Sequence, residues 1–406
     1  MTSAQQLLAT LVLMGIVAVL LRLVSRRAPL PYPVLLALLG IAAGAIPGVS
    51  VGPIGSDAIL LGFVPGLVFQ AAMTTSIPAL RRVLAPVAAL ATAGVALTVA
   101  AIGLLAHWAL GLSWTEGVLL GAVLAPTDPI AVVAVLRRLH APGQLVALLE
   151  GESLLNDGTG VAVFAAVVAT LDGGTPTAAG ALARFVLIVA GGLGVGLAAG
   201  AAGVALLATF REAQTEILLT LAVAYGSYLA ADLLHVSGIV AVVTAALVVA
   251  ASSRRFPGLH ARDLDDFWAV VAFILNALLF LLIGSALPVR QVIEQAGPVL
   301  AAFGITLVAR LLTVHAILAV LDPRARRVPL RWRTVTVWGG MRGALSIALA
   351  LVLAERHDVD HRVAVLAYGV ALITILLQGG TIRWLAPGEH AAEPAPQHGH
   401  GTLGRA

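Results

Sequence analysis

The segment EGESLLNDGTGVAVF, from Glu150 to Phe164, places Glu152 and Asp157 inside a stretch otherwise suited to cross a membrane. Ionisable groups in hydrocarbon cost about 2.5–3.5 kcal/mol each, so they persist where they pair with another charge or line an ion pathway. Glu152 and Asp157 are five residues apart, which places them about 140° apart around a helix. One acid can therefore be paired while the other faces water.

Helical spacing also groups the neighbouring polar residues. Ser153 shares a face with Asp157, and Glu152 shares a different face with Asn156, because both pairs are four residues apart. Asn156 and Gly158 make a poor packing surface and a suitable hydrated one. A carboxylate in a narrow hydrated pocket can hold a proton or a small cation, but not both. We interpret Asp157 as that carboxylate; the alternative is that both acids are paired structural charges.

A lone arginine, Arg310, lies in the middle of another apolar segment, GITLVARLLTVHA. A cation at that depth needs an anionic partner. The acids in the interiors of the predicted spans are Glu152 and Asp157, apart from Asp128 at a break and Asp232 near an end. Pairing Glu152 with Arg310 neutralises two costly charges and leaves Asp157 unpaired, so we predict this structural ion pair.

The stretch LAPTDPIAV, residues 124–132, predicts a break in a helix. Pro126 and Pro129 each lack a backbone donor, so a new half-helix begins near Asp128. A carboxylate suits that N-terminus as a cap and as a partner of the helix dipole. Broken backbone at membrane depth is tolerated only against protein or water, so the break marks a candidate site. A structural proline kink is the alternative.

A second interruption is predicted in WGGMRGALSIAL, residues 338–349, where three glycines surround Arg342. The two interrupted helices, at about 115–136 and 334–353, lie in corresponding halves of the chain. Such a matched pair is typical of a midplane site in an inverted-repeat transporter. This inference of symmetry depends on the paired breaks alone.

The elements that position these residues are membrane helices. The 406-residue chain is 60% hydrophobic and 11% charged, whereas soluble domains are about 25% charged. Its apolar runs have the length of spanning α-helices, which predicts an all-α integral membrane protein. No cysteine is present, so disulfide and thiolate chemistry are excluded. No basic run is interleaved with aromatic residues, so no nucleic-acid partner is expected.

About 13 transmembrane helices are predicted, with the site helix at 145–171. The eighth and ninth are divided only by LLHVSG, so one long kinked span is the alternative there. Arg26 and Arg27 follow the first apolar run rather than precede it, which indicates a span and not a signal peptide. The predicted spans are 7–24, 33–46, 58–77, 84–108, 115–136, 145–171, 182–208, 215–234, 236–251, 267–286, 296–320, 334–353 and 363–385.

Arginine is distributed unequally between the connections. The odd-numbered connections contain 15 arginines and the even-numbered ones contain 3. The positive-inside rule then predicts an extracellular N-terminus and a cytoplasmic C-terminus in the cell (inner) membrane. We expect one transmembrane domain over residues 1–385, surrounded by lipid, and a short disordered cytoplasmic tail over 386–406.

Five segments together resemble the monovalent cation/proton antiporters of the NhaP and NHE type, collinearly over roughly residues 7–385. The resemblance implies a homodimer with a core of two crossed, broken helices and a separate dimer domain. It implies no cofactor beyond the transported Na⁺ and H⁺. The segments are APTDPIAV, GESLLNDGTGVAVF, YGSYLAADLLHVSGIVAVV, FWAVVAFILNALLFLLIG and WGGMRGALSIALAL.

The resemblance also implies roles for individual residues. Asp157 is the acid shared by cation and proton, and Ser153 with the carbonyl region of Thr127 completes the Na⁺ site. Asn156 marks electroneutral exchange, because electrogenic relatives carry a second aspartate at that place. The resemblance further implies that Asp128 and Arg342 balance the helix ends at the two breaks, and that Glu152 and Arg310 form the structural ion pair.

One segment departs from the family pattern. The third span reads FVPGLVFQAAMTTSIPALRR, where members usually carry LPP followed by FEAA. Gly66 replaces the second proline, and Gln70 replaces the acid. Gln70 still offers a carbonyl oxygen to a cation, but one negative charge is lost, which affects ion selectivity and cation affinity.

Together these observations predict a secondary antiporter and not an enzyme. It exchanges a monovalent cation for a proton, one for one and without net charge, by competition at Asp157 with alternating access. Sodium is expected first, with lithium or potassium as alternatives. A cation channel is a further alternative, although a single carboxylate suits competition better than a multi-ion queue. An aspartyl hydrolase needs two converging carboxylates, whereas Glu152 and Asp157 point about 140° apart.

Overall fold

The structure, a computed structural model, describes a set of residue ranges that cover most of the chain. All regular secondary structure within them is helical. Seven helices are long and apolar enough to cross a membrane, and five shorter apolar helices accompany them. The predicted all-α membrane architecture is therefore confirmed. The described ranges are 15–17, 19–22, 31–44, 56–171, 178–210, 212–253, 260–322 and 328–385.

The helices from residue 32 onward are numbered here in chain order. They are α1 Tyr32–Gly44, α2 Ser56–Gly62, α3 Val64–Thr74, α4 Ile77–Ala89, α5 Val95–Leu110, α6 Trp114–Leu124, α7 Ile130–Arg138, α8 Gly143–Leu171, α9 Ala178–Thr209, α10 Ala213–Leu233, α11 Gly238–Ser253, α12 Ala261–Ala286, α13 Val289–Glu294, α14 Ala296–Leu321, α15 Leu330–Trp338, α16 Ala344–Ala354, α17 His361–Ile373 and α18 Gly379–Leu385.

The predicted spans from residue 33 onward each coincide with one of these helices or with an interrupted run of them. The first predicted span lies largely outside the described residues, as the tail at 386–406 does entirely, so the count of 13 stays a prediction. The alternative of one kinked eighth span is wrong. The chain turns between α10 and α11, where His235 has a φ of 55°, and a Cβ on Gly238 would meet the ring of Tyr228.

Small residues let the helices around the site approach closely. Gly192, Gly196 and Gly200 recur every four residues along α9 and face α11, and a Cβ on Gly192 would lie 2.6 Å from the carbonyl oxygen of Ser237. Small residues at this spacing are typical of membrane helix interfaces. In turn α11 packs on α8, where a Cβ on Gly158 would lie 2.6 Å from a methyl group of Val240.

Two helices are interrupted at the predicted places. Residues 125–129 separate α6 from α7, and residues 339–343 separate α15 from α16. The breaks touch each other, because the backbone N–H of Asp128 donates a 2.8 Å hydrogen bond to the carbonyl of Met341. The predicted pair of crossing, broken helices is thus observed.

Two single-turn π-helices support this crossing from neighbouring helices. One, Leu90–Gly94, lies between α4 and α5, and the other, Thr374–Gln378, lies between α17 and α18. In the first, the carbonyl of Ala91 accepts a 2.5 Å hydrogen bond from Thr159 on α8. In the second, the hydroxyl of Thr374 accepts the backbone N–H of Arg342 at 3.0 Å. Both irregular turns therefore hold parts of the site, as π-bulges frequently do.

Candidate ion site at the crossing of two broken helices

Asp128 caps two half-helices at once. Its Oδ1 accepts the backbone N–H of Ile130 at 3.0 Å, and its carboxylate also accepts the N–H of Ala344. These amides begin α7 and α16, where the helix dipole favours negative charge. A Cβ on Gly343 would overlap the Asp128 side chain, so only glycine lets the two N-termini share one carboxylate.

Two buried arginines face the opposite ends of the broken helices. Arg342 donates from Nη1 to the carbonyls of Ala125 and Pro126, at 3.0 Å each, where α6 ends. Arg310 donates from Nη2 to the carbonyl of Thr336 at 3.3 Å, in the last turn of α15. Carbonyl groups at a helix C-terminus lack partners within the helix and attract cations. Each break thus has charges of the sign that its helix ends require.

Arg310 also forms a two-pronged ion pair with Glu152. Nη2 lies 2.9 Å from Oε2, and Nη1 contacts Oε1. Glu152 is 1% exposed and Arg310 is 5% exposed, so the pair is shielded from water. The geometry links α8, α14 and α15, which makes Glu152 part of the scaffold and leaves it unavailable to a cation.

The unwound residue Thr127 is held by α8 through three hydrogen bonds. Nδ2 of Asn156 donates to Thr127 Oγ1 at 2.8 Å, and the backbone N–H of Thr127 donates to Asn156 Oδ1 at 3.4 Å. The hydroxyl of Ser153 donates to the Thr127 carbonyl at 2.6 Å. Ser153, Asn156 and Thr127 therefore form one unit, and the amide of Asn156 is committed to it.

Asp157 lines a cavity of about 430 Å³ together with Ser153, Thr127, Asp128 and Gln70. Across the described part of the chain, no group donates a hydrogen bond to the Asp157 carboxylate, and no cation pairs with it. Asn156 is not among the lining residues. The oxygens nearest to Asp157 on the same face of α8 and on the unwound segment are thus the Ser153 hydroxyl and the Thr127 region.

One end of the cavity lies at a partly exposed ion pair. Its lining extends to Arg137 at the end of α7 and to Glu150 near the start of α8, which form an ion pair at 2.6 Å. At the other end the half-helices α6 and α16 belong to one apolar core, in which Leu119, Leu124 and Leu349 are fully buried or nearly so. The exposed side chain of Arg137 therefore marks the end at which the cavity approaches the protein surface.

The third predicted span, whose sequence departs from the family pattern, contributes to the same cavity. Gln70 lines it and donates weakly from Nε2 to Thr74 Oγ1 at 3.4 Å. Gly66 makes room for Tyr225, because a Cβ there would lie 2.9 Å from the tyrosine hydroxyl, which bonds the Gly62 carbonyl at 3.1 Å. The loss of the family's proline therefore has a local packing reason.

Two buried polar residues of the lining were not predicted from the sequence. Oδ1 of Asn276 on α12 and Oγ of Ser346 on α16 are buried oxygens without a hydrogen-bond partner among the described residues, and both residues line the cavity. A buried polar group without a partner costs about 1–3 kcal/mol, so these oxygens suit water or a passing ion. Their only signal in the sequence was polarity inside an apolar run, in FILNALLF and ALSIALAL.

Comparison with known proteins matches nearly the whole chain. Residues 14–387 match the family described as sodium/hydrogen exchanger, transmembrane. The Na⁺/H⁺ antiporter NhaP of Pseudomonas aeruginosa is 37% identical over 353 residues, which cover 84% of this chain and 82% of the relative. The Na⁺/H⁺ antiporter NhaS2 of Synechocystis sp. is 32% identical over 394 residues, covering 96% and 72%.

A solved structure has the same fold. The sodium proton antiporter MjNhaP1 from Methanocaldococcus jannaschii, at pH 8, superposes with a TM-score of 0.77 and covers 94% of this chain and 98% of that chain. The sequence identity is 21%, so this likeness concerns the fold alone.

Proposed function

Because the chain belongs to the sodium/hydrogen exchanger family, whose members are secondary transporters and not enzymes, we propose that it exchanges Na⁺ for H⁺ at Asp157. One observation carries this proposal. Of the charges buried at the crossing, Glu152 and Arg310 neutralise each other, and Asp128 and Arg342 bond to helix ends. Asp157 is left without a bonded partner among the described residues and lines the cavity.

The oxygens around Asp157 suit a small monovalent cation. The Ser153 hydroxyl uses its proton on the Thr127 carbonyl, so its own lone pairs remain available. Oxygens of this kind can replace part of a cation's hydration shell, and unwound backbone in transporters often does so. Na⁺ is therefore held by Asp157, Ser153 and the Thr127 region, with Gln70 as a neutral oxygen further along the cavity.

Exchange at this site moves no net charge. A single carboxylate binds either one Na⁺ or one proton, so each must leave before the other enters. Asn156 adds no charge beside Asp157, because its amide is neutral. Both Nδ2 and Oδ1 of that amide are hydrogen-bonded to Thr127. One Na⁺ crosses in one direction for each proton in the other.

We propose that the site is accessible from one side at a time, and the cavity that leads from Asp157 to the exposed Arg137 supports this proposal. The uneven arginine distribution supports an orientation in the cell membrane in which this end faces the cytoplasm and the N-terminus lies outside. The single carboxylate supports an antiporter over a channel, because it suits competition between two ions better than a multi-ion queue. We also propose that the protein is a homodimer in the lipid membrane, because the family resemblance implies one. The mass of the purified protein in detergent tests this.

The decisive experiment uses the full chain in proteoliposomes with an internal pH dye. Addition of Na⁺ should drive proton flux equally with the membrane potential clamped or unclamped. Asp157→Asn should abolish the flux with an unchanged melting temperature, whereas the exposed control Asp232→Asn should retain it. Substantial exchange by well-folded Asp157→Asn protein would refute the mechanism, and flux that depends steeply on potential would refute one-for-one exchange.

The same assay tests competition and ion preference. The apparent KM for Na⁺ should rise as pH falls, because protons occupy the same carboxylate, while the maximal rate at saturating Na⁺ changes less. Li⁺ and K⁺ are compared at each pH. A flux driven by K⁺ and not by Na⁺ would replace the sodium assignment by the K⁺/H⁺ alternative.

A further inference from the structure

One face of α8 carries a row of oxygen-bearing side chains along the cavity. Glu150, Ser153 and Asp157 are spaced at i, i+3 and i+7, which places them on the same side of a helix, and all three line the cavity. The rise of an α-helix separates the first from the last by roughly 10 Å along the axis. Glu150 therefore lies between the end of the cavity at Arg137 and the ion-binding acid.

Glu150 is held by one cation that can leave it. Nη2 of Arg137, in the last turn of α7, lies 2.6 Å from Glu150 Oε1. The side chain of Arg137 is 56% exposed, whereas that of Glu150 is 19% exposed. Partly exposed ion pairs contribute little to stability, so a mobile cation can compete with Arg137 for this carboxylate.

We propose that Glu150 is the entry station of the pathway and that Arg137 gates it. An incoming monovalent cation displaces the guanidinium from Glu150, is held there briefly, and passes by Ser153 to Asp157. Arg137 swings into solvent and returns when the cation has moved on, which limits the negative charge that the open cavity presents. This inference rests on the proposed exchange at Asp157 and adds a second cation-binding residue to it.

A purely structural role for the ion pair of Glu150 with Arg137 predicts a different result. A link between α7 and α8 would lower the melting temperature and the maximal rate when either partner is removed. A structural link would not make the two single variants change the KM for Na⁺ in opposite directions. An entry station does so, because removal of Glu150 leaves an unpaired arginine at the mouth, whereas removal of Arg137 leaves an unmasked carboxylate.

The test measures the KM for Na⁺ in everted and right-side-out membrane vesicles. Glu150→Gln should raise the KM about five-fold on the side where Arg137 lies, and Arg137→Gln should lower it by about the same factor. Neither should change the KM on the other side. Arg138→Gln is the matched control, since it removes the neighbouring exposed arginine, which does not line the cavity. Added choline chloride should reduce both effects by screening.

An unchanged KM in both variants, or a shift of the same sign in both, overturns the entry station. If Glu150→Gln does not fold, the comparison of Arg137→Gln with Arg138→Gln decides alone, and equal KM values there reject the gate. Failure of the proposed function looks different, because the unmodified protein would then show no Na⁺-driven proton flux at all.

Discussion

Asn156 holds Thr127 through both ends of its amide, donating to the hydroxyl at 2.8 Å and accepting the backbone N–H at 3.4 Å. The asparagine is 1% exposed and does not line the cavity. Its neighbour Asp157 lines the cavity without a bonded partner among the described residues. Adjacent positions on α8 thus have separate tasks: one fixes the unwound backbone, and the other remains available to ions.

Replacement of Asn156 should therefore reduce stability as well as transport. Asn156→Ala leaves a buried N–H and a buried hydroxyl without partners, which costs about 1–3 kcal/mol. Asn156→Asp keeps an acceptor for the backbone N–H of Thr127 and can also accept a hydrogen bond from the Thr127 hydroxyl. Its loss of stability should therefore be smaller than that of Asn156→Ala. Melting temperatures in detergent measure both variants. Equal melting of the parent and Asn156→Ala proteins would mean that these bonds do not stabilise the break.

The ion pair between Glu152 and Arg310 should matter more for folding than for ion chemistry. Glu152→Gln or Arg310→Ala leaves one buried charge uncompensated, which typically costs about 3–5 kcal/mol. The double variant Glu152→Gln/Arg310→Met should be less destabilised than the two single losses combined. Thermal melts of the three proteins test this coupling, and unchanged melts in both single variants would show that the pair contributes nothing.

Gly343 should not tolerate a side chain. In Gly343→Ala the new methyl group would collide with the Asp128 carboxylate, which must then leave the amides of Ile130 and Ala344. We expect a lower melting temperature and slower exchange. Gly304→Ala is the control, because a Cβ there meets no atom within 4 Å and alanine favours a helix. Similar behaviour of the two variants would contradict the close approach.

Gln70→Glu should restore a negative charge to the cavity. The added carboxylate should lower the KM for Na⁺, and like-charge repulsion should strengthen proton binding, so the activity profile moves to higher pH. Gln70→Leu, which removes the oxygen, should raise the KM for Na⁺. Proton flux against Na⁺ concentration at several pH values measures both. An unshifted profile for Gln70→Glu would place Gln70 outside the ion pathway.

Local chemistry was enough to predict several of these features from the sequence. Pro126 and Pro129 remove backbone donors wherever they occur, so the break between α6 and α7 needed no knowledge of neighbours. Long apolar runs must span a membrane, and a mid-span cation such as Arg310 must find one of very few acids. Its observed partner Glu152 lies 158 residues away in sequence. Elimination left few candidate acids, and the choice of Glu152 among them agreed with the family resemblance.

Tertiary structure decided which other residues share the site. Asn156 could have faced the ion instead of Thr127, and neither the cavity-lining oxygens of Asn276 and Ser346 nor the pair of Arg137 with Glu150 was predicted. The reason is physical: the surface of a membrane helix that faces lipid is as apolar as the surface that faces protein. The amphipathic periodicity that orients a helix in a soluble protein is therefore weak, and only the packed helices show where each side chain points.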